Sequence, residues 1–181
     1  MSKLKVINLF AGPGASKSTT RAGLFCLMKQ NMVSVEEVTE YAKDVVWDGQ
    51  NDILADQLYV AAHQNHRLHR LQSKVKWSVS DSPLLLSIRY ASVDFLPIHF
   101  RNLIWELWEQ YDNYNFFINR AKPYVQAGRV HTEEQARKID QDILDMLRHN
   151  HVPFMEIVGD SSAPKAIFDN LKPLFELKNN E

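Results

Sequence analysis

Cysteine is nearly absent from this chain of 181 residues: Cys26 is the sole one. That excludes an internal disulfide and suits a reducing compartment, so a cytoplasmic location is expected. Cys26 falls on the first expected helix and reads as a small buried residue. Long apolar runs are also missing, and none approaches the roughly 20 residues of a membrane span. The start, Met1-Ser2-Lys3-Leu4-Lys5-Val6, holds too short an apolar stretch for a signal peptide. Charge of one sign is lacking too. The 21 basic and 22 acidic side chains leave a net charge of −1, so there is no global basic field for nucleic acid or for a membrane surface. No repeat and no low-complexity linker interrupts the chain, and one domain over residues 1–181 is expected. Hydrophobic content of 45% and charged content of 24% are ordinary for a globular core, which excludes a disordered chain.

Glycine is scarce as well, and two of the six lie within three residues, at Gly12 and Gly14. They belong to Ala11-Gly12-Pro13-Gly14-Ala15-Ser16-Lys17-Ser18-Thr19. This stretch follows an apolar run, Val6 to Phe10, that reads as a buried strand. It precedes Thr20 to Gln30, which reads as a helix with Leu24, Leu27 and Met28 inward. Strand, glycine-bearing turn, Lys-Ser and helix form the context of a phosphate-binding P-loop. Backbone N–H groups of such a turn converge with the positive end of the helix dipole. Lys17 adds a point charge for the outer phosphates, and the Ser18 hydroxyl suits a Mg²⁺ carried by them. The usual pattern is G-x-x-x-x-G-K-[ST]. Ala11 stands at its first glycine and Ser16 at its last. The plainer alternative is a strand–helix turn that binds nothing.

Further along, strands are expected at Met32 to Glu40, Val75 to Ser80, Asn113 to Ile118 and Pro153 to Val158. Helices are expected at Ala42 to Trp47, Ile53 to Ser73 (capped by Asn51 or Asp52), Leu84 to Tyr90 and Ile98 to Tyr111. On the long helix, Leu54, Leu58, Ala61 and Leu68 read as the core face. Asp56, Tyr59, His63, Arg67 and Arg70 read as the polar face. Leu103, Leu107 and Trp108 are the expected core contacts of the Ile98 helix. Asp94-Phe95-Leu96-Pro97 reads as a loop, and Arg120 to His131 as a mobile loop. Thr132-Glu133-Glu134-Gln135 is a capping box opening a helix to Asn150, and Pro164 opens a last helix through Leu177. Alternating strands and helices predict an α/β fold, a parallel five-stranded sheet flanked by helices. Ligands of such sheets sit outside the carboxyl ends of the strands.

Two carboxylates end strands on that edge, Glu40 and Asp81. In phosphoryl transfer one such group can take the proton of the attacking hydroxyl and another can hold the metal. Each could instead be a helix cap. Arg120, Lys122, Arg129 and Arg137 gather around the late loop. Arg129, next to Gly128, is favoured for closing over phosphates. His63, His66 and His69 have i, i+3 spacing but no evident further zinc ligand, so a solvated helix face is preferred to a zinc site.

These residues resemble the deoxynucleoside kinase and nicotinamide riboside kinase branch of P-loop kinases. Thr39-Glu40-Tyr41-Ala42-Lys43 looks like the segment in which that family keeps its general-base glutamate. Gln57-Leu58-Tyr59 looks like its Gln-x-Tyr, whose glutamine reads a base edge. Asp81-Ser82-Pro83 through Ser87-Ile88-Arg89-Tyr90 resembles its acid-Arg-Ser motif and the Asp-Arg-Tyr that follows. Ser82 stands at the usual arginine and Ile88 at the usual aspartate, while Arg89 is retained. Gly128-Arg129 followed by Glu133-Glu134-Gln135 resembles its lid, here about residues 120–132, with an insertion.

The resemblance implies a kinase with ATP and Mg²⁺ at Gly12, Pro13, Gly14, Ala15, Ser16, Lys17, Ser18 and Thr19. Ser18 and Asp81 would hold the metal, and Glu40 would deprotonate the acceptor. Trp47, Gln57, Tyr59 and Arg89 would line the acceptor, with Arg89 and Arg129 steadying phosphates. The expected acceptor is a small-molecule nucleoside or nucleotide, with no membrane partner, and a homodimer is compatible with this reading. A looser likeness to small phage-encoded P-loop kinases implies an alternative nucleic-acid acceptor, a hydroxymethyl pyrimidine such as 5-hydroxymethyluracil in DNA. The rival from another class is a non-catalytic nucleotide-binding module.

Overall fold

A computed structural model describes residues 2–91, 98–125 and 131–176. Its strands are β1 (Lys5–Phe10), β2 (Val35–Val38), β3 (Trp77–Ser80), β4 (Asp112–Asn119) and β5 (Met155–Val158). Its helices are α1 (Lys17–Gln30), α2 (Tyr41–Trp47), α3 (Gln57–His69), α4 (Leu86–Tyr90), α5 (Ile98–Glu109), α6 (Glu133–His149) and α7 (Ala163–Glu176). The strands form one sheet in the order β2-β3-β1-β4-β5, and every pairing is parallel. Each pairing therefore needs a crossover, which the helices supply.

Side chains alternate across the sheet, as the strand repeat dictates. Val6 and Phe10 of β1 enter one apolar cluster with Ala61 and Leu68 of α3, Ile104 of α5 and Ile139 and Ile143 of α6. Ile7 and Leu9 enter the other, with Leu24 and Met28 of α1 and Ile167 and Phe168 of α7. The expected doubly covered parallel sheet is what forms. β1 lies at its centre, so the turn after Phe10 opens in the middle of the carboxyl edge.

Several boundaries differ from the sequence reading, each for a local reason. Met32 and Val33 terminate α1 and do not start β2. Met32 is left-handed at φ 59° and 91% exposed, while the Val33 N–H donates to the Met28 carbonyl at 3.0 Å. The helix expected from Ile53 to Ser73 is broken. A short 3-10 turn spans Asn51–Ala55, and Asp56 caps α3 by accepting the Tyr59 N–H at 3.0 Å. Leu54 is thereby off the helix, and the buried face of α3 is Gln57, Val60, Ala61, Gln64 and Leu68, with Leu58 52% exposed. On α5, Phe100 and Ile104 are the buried residues and Leu103 is 42% exposed. Cys26 is exposed, not buried. The capping box at Thr132 forms with both of its bonds. Gly128, Arg129, residues 94–97, the middle of the expected lid and Leu177 lie outside the described residues. No helix among the described residues is long and apolar enough to cross a membrane.

Candidate active site

The turn between β1 and α1 places Gly14 and Ser16 in the left-handed region, at φ 77° and 68°. Glycine adopts that conformation freely, whereas serine is strained there. Ser16 sits at the N-cap of α1, yet its side chain makes no capping bond. The helix N-terminus therefore keeps its free N–H groups facing the turn.

Lys17 is buried, and its Nζ donates to the Ala11 carbonyl at 2.8 Å and the Gly12 carbonyl at 2.9 Å. Burial pushes this amine below its ordinary range, while Glu40, Asp81 and Asp140 act in the opposite direction. Three carboxylates, from the ends of β2 and β3 and from α6, thus act electrostatically on one lysine. The half-buried Glu40 precedes α2 at the N-cap position without making a capping bond. The alternative role suggested for it, a helix cap, is not the one it plays. Burial lifts the Glu40 carboxyl above the usual glutamate range, with Lys17 opposing and Asp81 adding to the rise.

Asp81 is 2% exposed at the end of β3. Its Oδ2 lies 3.2 Å from Nε of Arg21, one helical turn beyond Ser18, and Arg21 also pairs with Glu37 of β2. Its Oδ1 is buried without a hydrogen-bond partner. Such an orphaned oxygen is costly and marks a place where a ligand belongs. Carboxylate plus hydroxyl is the hard-oxygen donor set that Mg²⁺ takes alongside phosphate, so Asp81 and Ser18 fit that ion. Among the described residues, no cluster of three or more His, Cys, Asp or Glu side chains suits a metal bound by protein alone.

The opposite wall is α6. Asp140 Oδ1 accepts the Gly12 N–H at 2.6 Å, and Asp140 Oδ2 takes Arg120 Nε at 2.5 Å. Arg120 also reaches the Ala136 carbonyl at 3.3 Å, while its Nη1 is buried with no hydrogen-bond partner among the described residues. A Cβ on Gly12 would meet the Ala136 carbonyl at 2.7 Å and Asp140 Oδ1 at 2.9 Å, so the loop needs glycine there. Arg89 pairs with Asp142 of α6 at 2.5 Å, and its Nε lacks a hydrogen-bond partner. The neighbouring Tyr90 is held far above the ordinary phenol range by burial first and by Glu40 second.

The expected acceptor-side residues stand apart from this charged cluster in character. Tyr59 joins Tyr41 and His63 in an aromatic group, with Tyr41 and His63 stacked at 4.3 Å. Gln57 is buried, and its amide nitrogen donates to the Leu54 carbonyl at 2.7 Å. Trp47 is 69% exposed at the end of α2. Arg21, Asp140 and Gln64 were missed by motif reading. Arg21 carries a faint signal in its position one turn past Ser18; the others carry none.

No curated protein matches the sequence. Two solved structures of deoxyadenosine kinase from M. mycoides share the fold. The one with bound dATP superposes at a TM-score of 0.61 and 14% identity, covering 92% of this chain and 99% of that one. The one with bound dCTP gives 0.60 and 14%, covering 93% and 99%. A family model described as an AAA domain matches residues 6–163, from the first strand to the start of the last helix, and the chain belongs to that P-loop family.

Proposed function

We propose that the protein is a kinase that transfers the γ-phosphate of ATP to a hydroxyl of a nucleoside or nucleotide. The observation that carries this reading is that Glu40, at the N-cap of α2 and yet spared from capping, and the buried Asp81 stand on the carboxyl edge beside the P-loop turn, and both favour the charged form of the buried Lys17. A binding module needs the lysine and the loop. It does not need a desolvated carboxylate at the end of β2. The fold shared with two deoxyadenosine kinase structures supports a nucleoside acceptor.

In this reading Lys17 leaves the loop carbonyls and moves its charge onto the outer phosphates. The acceptor oxygen forms a bond to the γ-phosphorus as the bond to the β–γ bridging oxygen breaks. ADP departs with that electron pair, and the acceptor's proton passes to Glu40. A raised carboxyl is a stronger base than an ordinary glutamate once ionised. Ser18 and Asp81 would hold a Mg²⁺, which would supply charge neutralisation at the phosphates. Arg120 is a second cation on the phosphate side through its unpartnered Nη1, and Arg89 and Arg129 complete the set with the lid. Gln57, Tyr59 and Trp47 line the acceptor.

The test is a labelled-phosphate transfer screen offering nucleosides, nucleoside monophosphates and hydroxymethyluracil-bearing DNA side by side. Transfer to nucleosides or monophosphates, lost in Lys17→Ala, supports the reading. Transfer to DNA alone moves the acceptor to the polymer, and no transfer to any acceptor leaves the binding module.

A further inference from the structure

Tyr41 opens α2, so its N–H has no partner within the helix. An N-cap side chain ordinarily takes the N–H of the second or third helical residue and leaves that of the first to another partner. Here the N-cap residue is Glu40, whose carboxylate makes no capping bond at all. The Tyr41 N–H donates at 3.0 Å to Oε1 of Gln64, 23 positions away on α3. Nε2 of the same carboxamide donates at 3.3 Å to the Thr39 carbonyl. One buried amide therefore grips the peptide groups on both sides of Glu40. Arg67, one turn further along α3, adds a second grip. Its Nη1 reaches the Thr39 carbonyl at 3.1 Å and the Thr39 hydroxyl at 2.6 Å, and its Nη2 pairs with Asp44 of α2 at 2.5 Å. The guanidinium also lies over the Tyr41 ring at 5.4 Å.

We propose that Gln64, backed by Arg67, is a positioning residue for Glu40: it holds the peptide groups on both sides of Glu40 in an arrangement that leaves the Glu40 carboxylate uncapped and available to the site. The inference rests on the reading of Glu40 as proton acceptor. An N-cap carboxylate is drawn to the N–H groups of the second and third residues of its own helix, and that bond would both turn it from the site and weaken it as a base. Gln64 holds the peptides flanking Glu40 in an arrangement in which no such bond is made. Holding the peptides on each side also fixes φ and ψ around Glu40, and with them the direction of its side chain. The arrangement explains why a buried, neutral hydrogen-bonding residue sits on the core side of α3, where an aliphatic one would pack at no hydrogen-bonding cost.

Two measurements on the full chain test this. The first is hydrogen exchange at the Tyr41 amide, which reads the grip without reference to activity. The amide is protected in the parent and loses that protection in Gln64→Met, which keeps side-chain length and removes both polar atoms. The second is a double-mutant cycle on phosphate transfer. Gln64→Met lowers kcat about tenfold to a hundredfold, as misplacement of a reacting group does. It leaves the KM for ATP within about twofold. In a Glu40→Gln background the same change costs no further turnover. Gln64→Leu, which also removes both polar atoms, serves in the same cycle with the same expected outcomes if Gln64→Met does not fold. An unprotected Tyr41 amide in the parent overturns the inference, as does an equal loss of kcat in both backgrounds. A parent that transfers no phosphate, with Tyr41 protected through Gln64, overturns the kinase reading and with it the positioning role, leaving a distant cap alone.

Discussion

Arg21 Nε lies 3.2 Å from Oδ2 of Asp81, and the other carboxylate oxygen is buried with no hydrogen-bond partner among the described residues. Both side chains are buried, at 12% and 3% exposure. Removing one member of such a pair strands a buried charge and costs about 3–5 kcal/mol. Arg21→Met is therefore expected to destabilise the fold by about that amount in urea denaturation. Asp81→Asn in the same chain should recover a large part of the loss, because the stranded charge is gone. An additive double mutant would show that the two side chains do not depend on each other.

Lys17→Ala is expected to abolish phosphate transfer with the fold retained. The amine is the cation nearest the loop, and in the free protein its two bonds are only to the loop's own carbonyls. Burial works against its charged form, so the alanine variant should melt no lower than the parent by more than the lost packing accounts for. Circular dichroism and transfer assays together check this. Full activity in a folded variant removes the kinase assignment from this loop.

Ser16→Gly is expected to stabilise the protein and to leave activity equal or higher. Ser16 holds a left-handed backbone at φ 68°, which costs a side-chain-bearing residue roughly 1 kcal/mol that glycine does not incur. Its hydroxyl makes no cap bond that glycine would lose. A rise in melting temperature with unchanged ATP affinity is the expected pair of results. A large loss of affinity would assign Ser16 a direct contact with the phosphates.

Glu40→Gln is expected to lower turnover by about 10²–10⁴-fold while ATP affinity holds, since the amide cannot take the acceptor proton. The pH profile adds a second check. The Glu40 carboxyl of the free protein is held above its ordinary range, so the acid limb of kcat/KM should lie above that of a free glutamate and vanish in the variant. Stability moves with it. The folded state keeps this proton to higher pH than the unfolded chain does. The penalty of the buried charge is thus absent below the ordinary glutamate range and grows as pH rises through the folded value. Glu40→Gln should gain stability over the parent at neutral pH and not below that range. A loss of stability at neutral pH with unchanged turnover would return Glu40 to a structural role.

What was legible in the sequence was what is local. The P-loop turn spans a few residues whose spacing is set by backbone geometry, and the Thr132 capping box is a contact over three positions. The parallel sheet followed from alternation of strands and helices, and the ends of β2 and β3 carried Glu40 and Asp81 to the site edge. The interactions that hold those groups were not legible. The Gly12 N–H finds Asp140 across 128 positions, and Tyr41 finds Gln64 across 23. No short pattern encodes either. Gln64 was further concealed because the core face was drawn through Leu54 and Leu58. Leu54 lies on the 3-10 turn outside α3, and the face that is buried runs through Gln57, Val60, Ala61, Gln64 and Leu68.

Gly12→Ala is expected to damage the protein more than its small size suggests. Its Cβ would lie 2.7 Å from a backbone oxygen, that of Ala136, and 2.9 Å from Asp140 Oδ1, and it would sit 3.1 Å from Arg120 Nη2. The side chains can shift, but the α6 backbone can give only by moving the helix. Either motion lengthens the 2.6 Å bond from the Gly12 N–H to Asp140. Losing that charge-assisted bond and straining the contact together cost about 2–4 kcal/mol in stability. Because the same loop carries Lys17, ATP affinity should fall as well. Asp140→Asn keeps an acceptor for the Gly12 N–H and relieves no crowding, so it should weaken the Arg120 pairing while leaving the loop in place. Denaturation and ATP titration of the two variants separate the effects: Gly12→Ala lowers both quantities, whereas Asp140→Asn retains more of the ATP affinity than Gly12→Ala does. If Gly12→Ala bound ATP as the parent does and melted at the same temperature, the tight packing of the loop against α6 would not exist in solution.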